Sequence, residues 1–350
     1  NHASVRSFIS NFFRGKSFQH ADLIEDLKGY TTLNMNFKSD AFMFNGISPS
    51  DTSVKNYLNI FLHQKPVNNT INNIFPTNTA NFVSFGISDN SLFNAGLRTL
   101  FKVREELKPL EDQINRIATE TGISLERDIK NLWGREFASV QLNTREKLAV
   151  IHVKDGNKLG FFLEPISSGI SGNIKRFNNS NILYYYFGDP LKEFSRPYYA
   201  IADNYLIVAN AASTVQQFLN NYNADKLLSK VPEYGKFKQL VANQSNIHFF
   251  IHTKNSEKLA EGTLNKPFRE VFDSEDFGLK NFYGLSYQPS ADGDHFFTNL
   301  YASYTPSDSA QLKTVWKFKL NGLAATAPQL VTDQTGNSFI LVQDRINNLY

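Results

Sequence analysis

The chain has 350 residues, of which 41% are hydrophobic and 14% aromatic, enough for a sizeable core and incompatible with a disordered polymer. Its formal net charge is +3, its 36 Lys and Arg are scattered, and the nearest thing to a basic cluster is Arg14-Gly-Lys16, so no nucleic-acid partner is expected. There is no cysteine. That excludes disulfides, thiolate catalysis and cysteine-held zinc or iron–sulfur centres, and fits an oxidising extracytoplasmic compartment.

Residues 1–29 are expected to be a helical lead-in. Phe8, Ile9, Phe12 and Phe13 share one helical face, to dock on the core or to lie on a membrane surface. The chain begins at Asn1 and holds no apolar run of the ~18–20 residues that span a bilayer, so a removed signal or anchor is expected upstream. Residues 30–37 and 41–47 read as a hairpin turning at Lys38-Ser39-Asp40. Ser53–Leu62 reads as a helix capped by Ser50 or Asp51. The Asn- and Pro-rich run Pro66–Pro76 is a connector to strand Ala80–Ser88. A long helical region follows, Ser91 to Leu132, with breaks expected at Pro109 and Thr121-Gly122 and with Ser124, Arg127 and Asp128 opening its last piece. Strands are predicted at Glu136–Leu142, Lys147–Val153 and Leu159–Pro165, the middle one apolar on both faces. Ser167–Phe177 stays open.

From Ile182-Leu-Tyr-Tyr-Tyr-Phe187, read as a strand, the order starts again. Strands are predicted at 197–203 and 205–211, helices at 213–222 and 233–242, a strand at 246–253, helices at 255–262 and 266–273, and strands at 281–287 and 295–304. The last pair turns at Asp292-Gly293. The fold class expected is α+β: two similar β-β-α-α-β-α-α-β-β halves, residues 30–180 and 181–308, with mainly antiparallel sheets and helices on one side. Residues 309–350 carry short strands with Gly and Asn turns and read as the start of a β-propeller.

No residue stands out as catalytic, cofactor-binding or metal-binding. His248 and His252 share a strand face but lie ~13 Å apart at strand rise, too far for one metal. Asp292-Gly-Asp294 and Asp333-Gln-Thr-Gly336 read as turns, lacking the later ligands of a calcium loop. No GxGxxG, P-loop or GxSxG pattern occurs. Tyr184-Tyr-Tyr-Phe187 and Tyr198-Tyr199 are aromatic patches of the kind that bind sugars or partners, or fill a core.

Asn34–Gly46, Gln64-Lys-Pro66, Ile74–Ala80 and Phe85–Asp89, with the tail phrases Trp316–Leu320, Ala327–Val331, Leu341–Asp344 and Asn347–Tyr350, resemble a bacterial envelope family catalogued as domain of unknown function 3352, most of all its Bacteroidetes-type members. That resemblance implies an N-terminal membrane anchor, a duplicated α+β domain and a following propeller, and supplies no catalytic residues. The expectation is a periplasmic, membrane-tethered interaction or scaffold protein with a protein partner and no cofactor. The alternatives are a hydrolase with its site in a cleft between the halves, or a lipid or small-molecule carrier.

Overall fold

The computed structural model describes residues 23, 31–38, 40–51, 53, 55–274, 279–304 and 319–350. The expected lead-in helix around Phe8–Phe13 and residues 309–318 of the expected propeller start lie outside the described residues.

The first unit, up to Thr305, carries strands β1 Thr32–Lys38, β2 Ala41–Pro49, β3 Val67–Asn68, β4 Thr79–Gly86, β5 Trp133–Leu142, β6 Lys147–Val153, β7 Ser167–Ser171, β8 Ile174–Phe177, β9 Tyr198–Ala202, β10 Tyr205–Ala209, β11 Gln244–Ser245, β12 Ile247–His252, β13 Phe282–Asp292 and β14 His295–Tyr304. Its helices are α1 Asn90–Val103, α2 Leu107–Thr121, α3 Gly156–Leu163, α4 Ile182–Phe187, α5 Ala212–Asn223, α6 Pro232–Lys238, α7 Thr253–Thr263 and α8 Lys266–Asp273. Twelve strands form one sheet in the order β1-β2-β14-β13-β12-β4-β5-β6-β10-β9-β8-β7. Every neighbouring pair is antiparallel. The short strands β3 and β11 pair with each other in a separate ribbon.

Strand β4 is buried along its whole length. Val83 and Phe85 join a core with Phe61, Phe93, Leu97 and Phe137, while Phe82 joins another with Phe75, Phe237 and Phe250. Helices therefore cover both faces of the sheet centre: α1 to α4 on the first, α5 and α6 on the second. The expectation of helices on one side is corrected here. Strands β4, β5 and β6 are apolar on both faces, and each face needs its own cover.

Other expectations are corrected locally. Leu159–Pro165 is helical, running from α3 into a 3-10 turn at Glu164–Ile166; Asp155 accepts from the Lys158 N–H at 2.9 Å, and Leu159 and Leu163 bury one face. Ile182–Phe187 is also a helix, with all six residues buried. A helix enclosed on all sides has no polar face and so no helical periodicity to read. Ser53–Leu62 yields a 3-10 turn, Leu58–Phe61. The long helix breaks at Arg104–Glu106, where Glu105 is left-handed (φ 60°). Pro109 sits in the first turn of α2, where its missing N–H costs nothing. The predicted stop at Gly122 holds: its φ of 76° ends α2. Ser124 caps the next turn by accepting from the Arg127 N–H. Ser167–Phe177 is the β7–β8 hairpin.

The second unit, Pro306–Tyr350, holds β15 Gln329–Thr332 paired with β16 Ser338–Leu341. It contains the same loop twice, eleven residues apart. Asp333 Oδ1 accepts from the Thr335 and Asn337 N–H groups, and Asn337 Nδ2 donates to Asp333 Oδ2. Asp344 Oδ1 accepts from the Ile346 and Asn348 N–H groups, and Asn348 Nδ2 donates to Asp344 Oδ2. The fourth position is left-handed in both, Gly336 at φ 88° and Asn347 at φ 65°.

Candidate functional site

A cleft of about 300 Å³ opens where the β3–β11 ribbon meets the sheet, lined by Asn68, Asn69, Thr70, Asn72, Lys238, Val241, Ala242, Asn243 and His248. Its walls are cross-braced. The Asn69 N–H donates to the Asn243 carbonyl at 2.9 Å, and its side chain accepts from Ser245 Oγ. Buried Gln288 holds Ala242 at both ends, accepting from its N–H and donating to its carbonyl, each at 2.9 Å. Glu136, only 8% exposed, fixes the opposite wall by accepting from the Thr70 N–H at 2.8 Å, the Ile71 N–H at 3.1 Å and the Thr70 hydroxyl.

His248 lines the cleft from β12 and is 1% exposed. Its Nε2 meets Ser286 Oγ at 2.9 Å, while Nδ1 has no protein partner. Burial, reinforced by the Lys238 cation, pushes its pKa down to about 3, so the ring is neutral near pH 7. Half-buried Lys238 reaches Asn73 Oδ1 at 2.8 Å. Burial lowers the pKa of its ammonium, and the Glu136 carboxylate opposes that.

Two further clefts are polar-lined. One, of about 560 Å³, lies between α3 and the β9–β10 turn with Asp203 as its one acid. The other, of about 420 Å³, is lined by Gln113, Arg116, Asn178 and Arg196 among others. None of the three carries a pair of carboxylates, the geometry glycoside hydrolysis requires. Among the described residues no group of three His, Asp or Glu is placed to hold a metal, and no helix is long and apolar enough to cross a membrane.

The remaining sequence candidates are structural. His252 Nδ1 caps α7, accepting from the Asn255 N–H at 3.1 Å. His295 pairs with Asp294 at 2.9 Å beside the left-handed Gly293 of the β13–β14 turn. Tyr184, Tyr185, Tyr186 and Phe187 are core residues, none more than 7% exposed; the three hydroxyls bond Glu106, Glu126 and the Leu125 carbonyl. Tyr199 is buried on Ser167, and Tyr198 carries Arg176 over its ring. Lys238, Asn72 and Gln288 carried no sequence signal, and the wall Asn68–Asn72 read only as a connector.

A second surface feature lies at the β1 end of the sheet. Met35 and Phe37 pair in register with Phe44 and Phe42, which pair in turn with Leu300 and Ala302. Directly opposed residues share a face, so this set forms one apolar stripe. Met35 is 57% exposed, Phe37 71% and Phe42 42%.

No curated protein matches the chain. Among solved structures, crystal form I of TP0453 is similar over 79% of this chain and 91% of its own, with 9% identity and a TM-score of 0.32. The sequence profile of a family described as "Protein of unknown function (DUF3352)" matches residues 51–271. That span is more than half of the 350 residues, and the chain belongs to this family.

Proposed function

We propose that this protein is an exported interaction protein of the bacterial envelope, tethered at the membrane, built from two copies of one α+β unit, and that it binds an extended segment of a protein partner along edge strand β1. The observation that carries the binding reading is the apolar stripe of Met35, Phe37, Phe42 and Phe44 beside a strand that, among the described residues, is paired on one side only. An edge strand offers unpaired backbone donors and acceptors. Here the opposite face of β1 bears Thr32, Asn34 and Asn36. The matching partner is a strand with apolar side chains at alternate positions and polar ones between. The absence of cysteine supports the extracytoplasmic setting.

The duplication is supported by strand order. Let β1, β2, β4, β5 and β6 correspond to β9, β10, β12, β13 and β14. Reading outward from the β4–β12 seam, the sheet runs β12-β13-β14-β2-β1 one way and β4-β5-β6-β10-β9 the other. A twofold axis normal to the sheet between two antiparallel strands generates this exchange. The ribbon strands β3 and β11 occupy corresponding places and pair with each other, as the same axis requires. Among the described residues the hairpin β7–β8 has no counterpart. The recurring Asp333 and Asp344 loops support the second unit as the start of a repeat array such as a propeller.

The binding reading is tested by placing a photo-reactive amino acid at Phe37, and separately at Phe161 on α3, which is 73% exposed, in intact cells. A discrete cross-linked protein from position 37 alone, lost on Met35→Glu, is the expected result. Equal cross-linking from both positions, or cross-linking from position 37 only to lipid or to a second copy of this chain, overturns it.

A further inference from the structure

We propose that the cleft at the β3–β11 ribbon binds the oxyanion group of a small ligand, a carboxylate or a phosphate, between Lys238 at its rim and His248 at its floor. This does not depend on the partner reading, since the stripe on β1 and β2 shares no residue with the cleft. Lys238 is the one charged residue of the lining. The Glu136 carboxylate behind the wall is committed to the Thr70 and Ile71 N–H groups and the Thr70 hydroxyl, so an anion in the cleft meets the Lys238 ammonium first. No aromatic ring lines the walls on which a sugar could stack.

His248 supplies the independent observation. It is all but fully buried, yet its Nδ1 has no partner in the protein. Buried ring nitrogens are paired in folded proteins unless a ligand or water completes them. In the tautomer where Ser286 Oγ donates to Nε2, Nδ1 carries the ring proton and is a donor; that is the tautomer an oxyanion selects. Together with the Lys238 ammonium this gives two donors for one oxyanion. The walls that would hold it are fixed by Glu136 and Gln288, so the site is preformed.

The test follows the histidine ring ¹⁵N and ¹H resonances of the intact chain by NMR during titration with inorganic phosphate and, separately, with acetate and succinate at constant ionic strength. A saturable shift of the His248 signals by about 10 mM is expected. Binding of phosphate alone or of carboxylates alone supports the proposal and assigns the class. Lys238→Met is expected to weaken binding about tenfold, the loss of one charge-assisted hydrogen bond. Asn243→Asp, an exposed change that sets a like charge on the cleft wall, is expected to weaken it too and serves if Lys238→Met does not fold. Lys230→Met, outside the cleft, is the control. No saturable shift with any probe, which is the outcome if Nδ1 is satisfied by water alone, overturns the proposal. So does wild-type affinity in a folded Lys238→Met or Asn243→Asp chain.

Discussion

His248 and His252 illustrate how burial assigns a role that residue type alone leaves open. Spacing along a strand removed them as a metal pair, but it did not show that one would line a cleft and the other cap a helix. Burial lowers their pKa values to about 3 and about 4, below the ordinary histidine value near 6.5. Between those values and ~6.5 the unfolded chain binds more protons than the folded one, so stability must fall as pH falls through that window. Each histidine contributes a slope of up to ~1.4 kcal/mol per pH unit there. Denaturant unfolding at pH 7, 6, 5 and 4 should show this loss, and His248→Gln should flatten it by about half. An unchanged slope in that variant would assign the acid sensitivity elsewhere. Arg104 and Asp189 were equally silent in sequence. Eighty-five positions apart, they form a two-pronged ion pair at 2.6 and 2.9 Å behind the α1–α2 break.

Among elements, those with a strong local signal were legible. The hairpin marked by the Asp292-Gly293 turn fell where the sequence placed it, because turn chemistry is local. Helix α1 likewise begins where Asp89 can accept from the Ser91 N–H at 2.7 Å and the Leu92 N–H at 3.1 Å. Asp89→Ala should cost ~1 kcal/mol of stability, as N-cap removals do. A chemical melt of that variant with an unchanged midpoint would show that the neighbouring Gln64 clamp on Ser88 and Asp89 holds the helix start unaided. Of the elements misread, α4 is the one whose apolar content is set by enclosure; α3 buries only one face and leaves Phe161 exposed. Tyr184–Phe187 has strand-forming residues, yet it is wound as a helix because both its sides are occupied: Phe101 and Trp133 pack against its rings.

For the whole molecule, the order of strands carries the strongest prediction. In the proposed duplication each half lends its first hairpin to the other, β2 pairing with β14 and β10 with β6. Residues 31–180 expressed alone leave β2, β4 and β6 each short of one neighbour, and residues 181–304 do the same for β14, β12 and β10. Neither fragment should be a folded monomer by circular dichroism and gel filtration, and co-expression should restore a 1:1 complex. A stable monomer from either fragment would mean that the halves are independent domains and that the exchange is incidental.

The sequence by itself determined the mixed helix and strand content, the antiparallel hairpins, the absence of thiol chemistry and the family. The family rests on the resemblance of whole sequence phrases; the others rest on composition or on contacts between near neighbours in the chain. Only the tertiary structure decided the order of the hairpins in the sheet, that helices cover both sheet faces, and that Asn68–Asn72, Lys238 and His248 meet around one cleft. Those arrangements depend on pairings across more than a hundred residues, Asn69 with Asn243 for one. Such pairings are selected by burial and strand register over the whole sheet, and no short-range pattern encodes them.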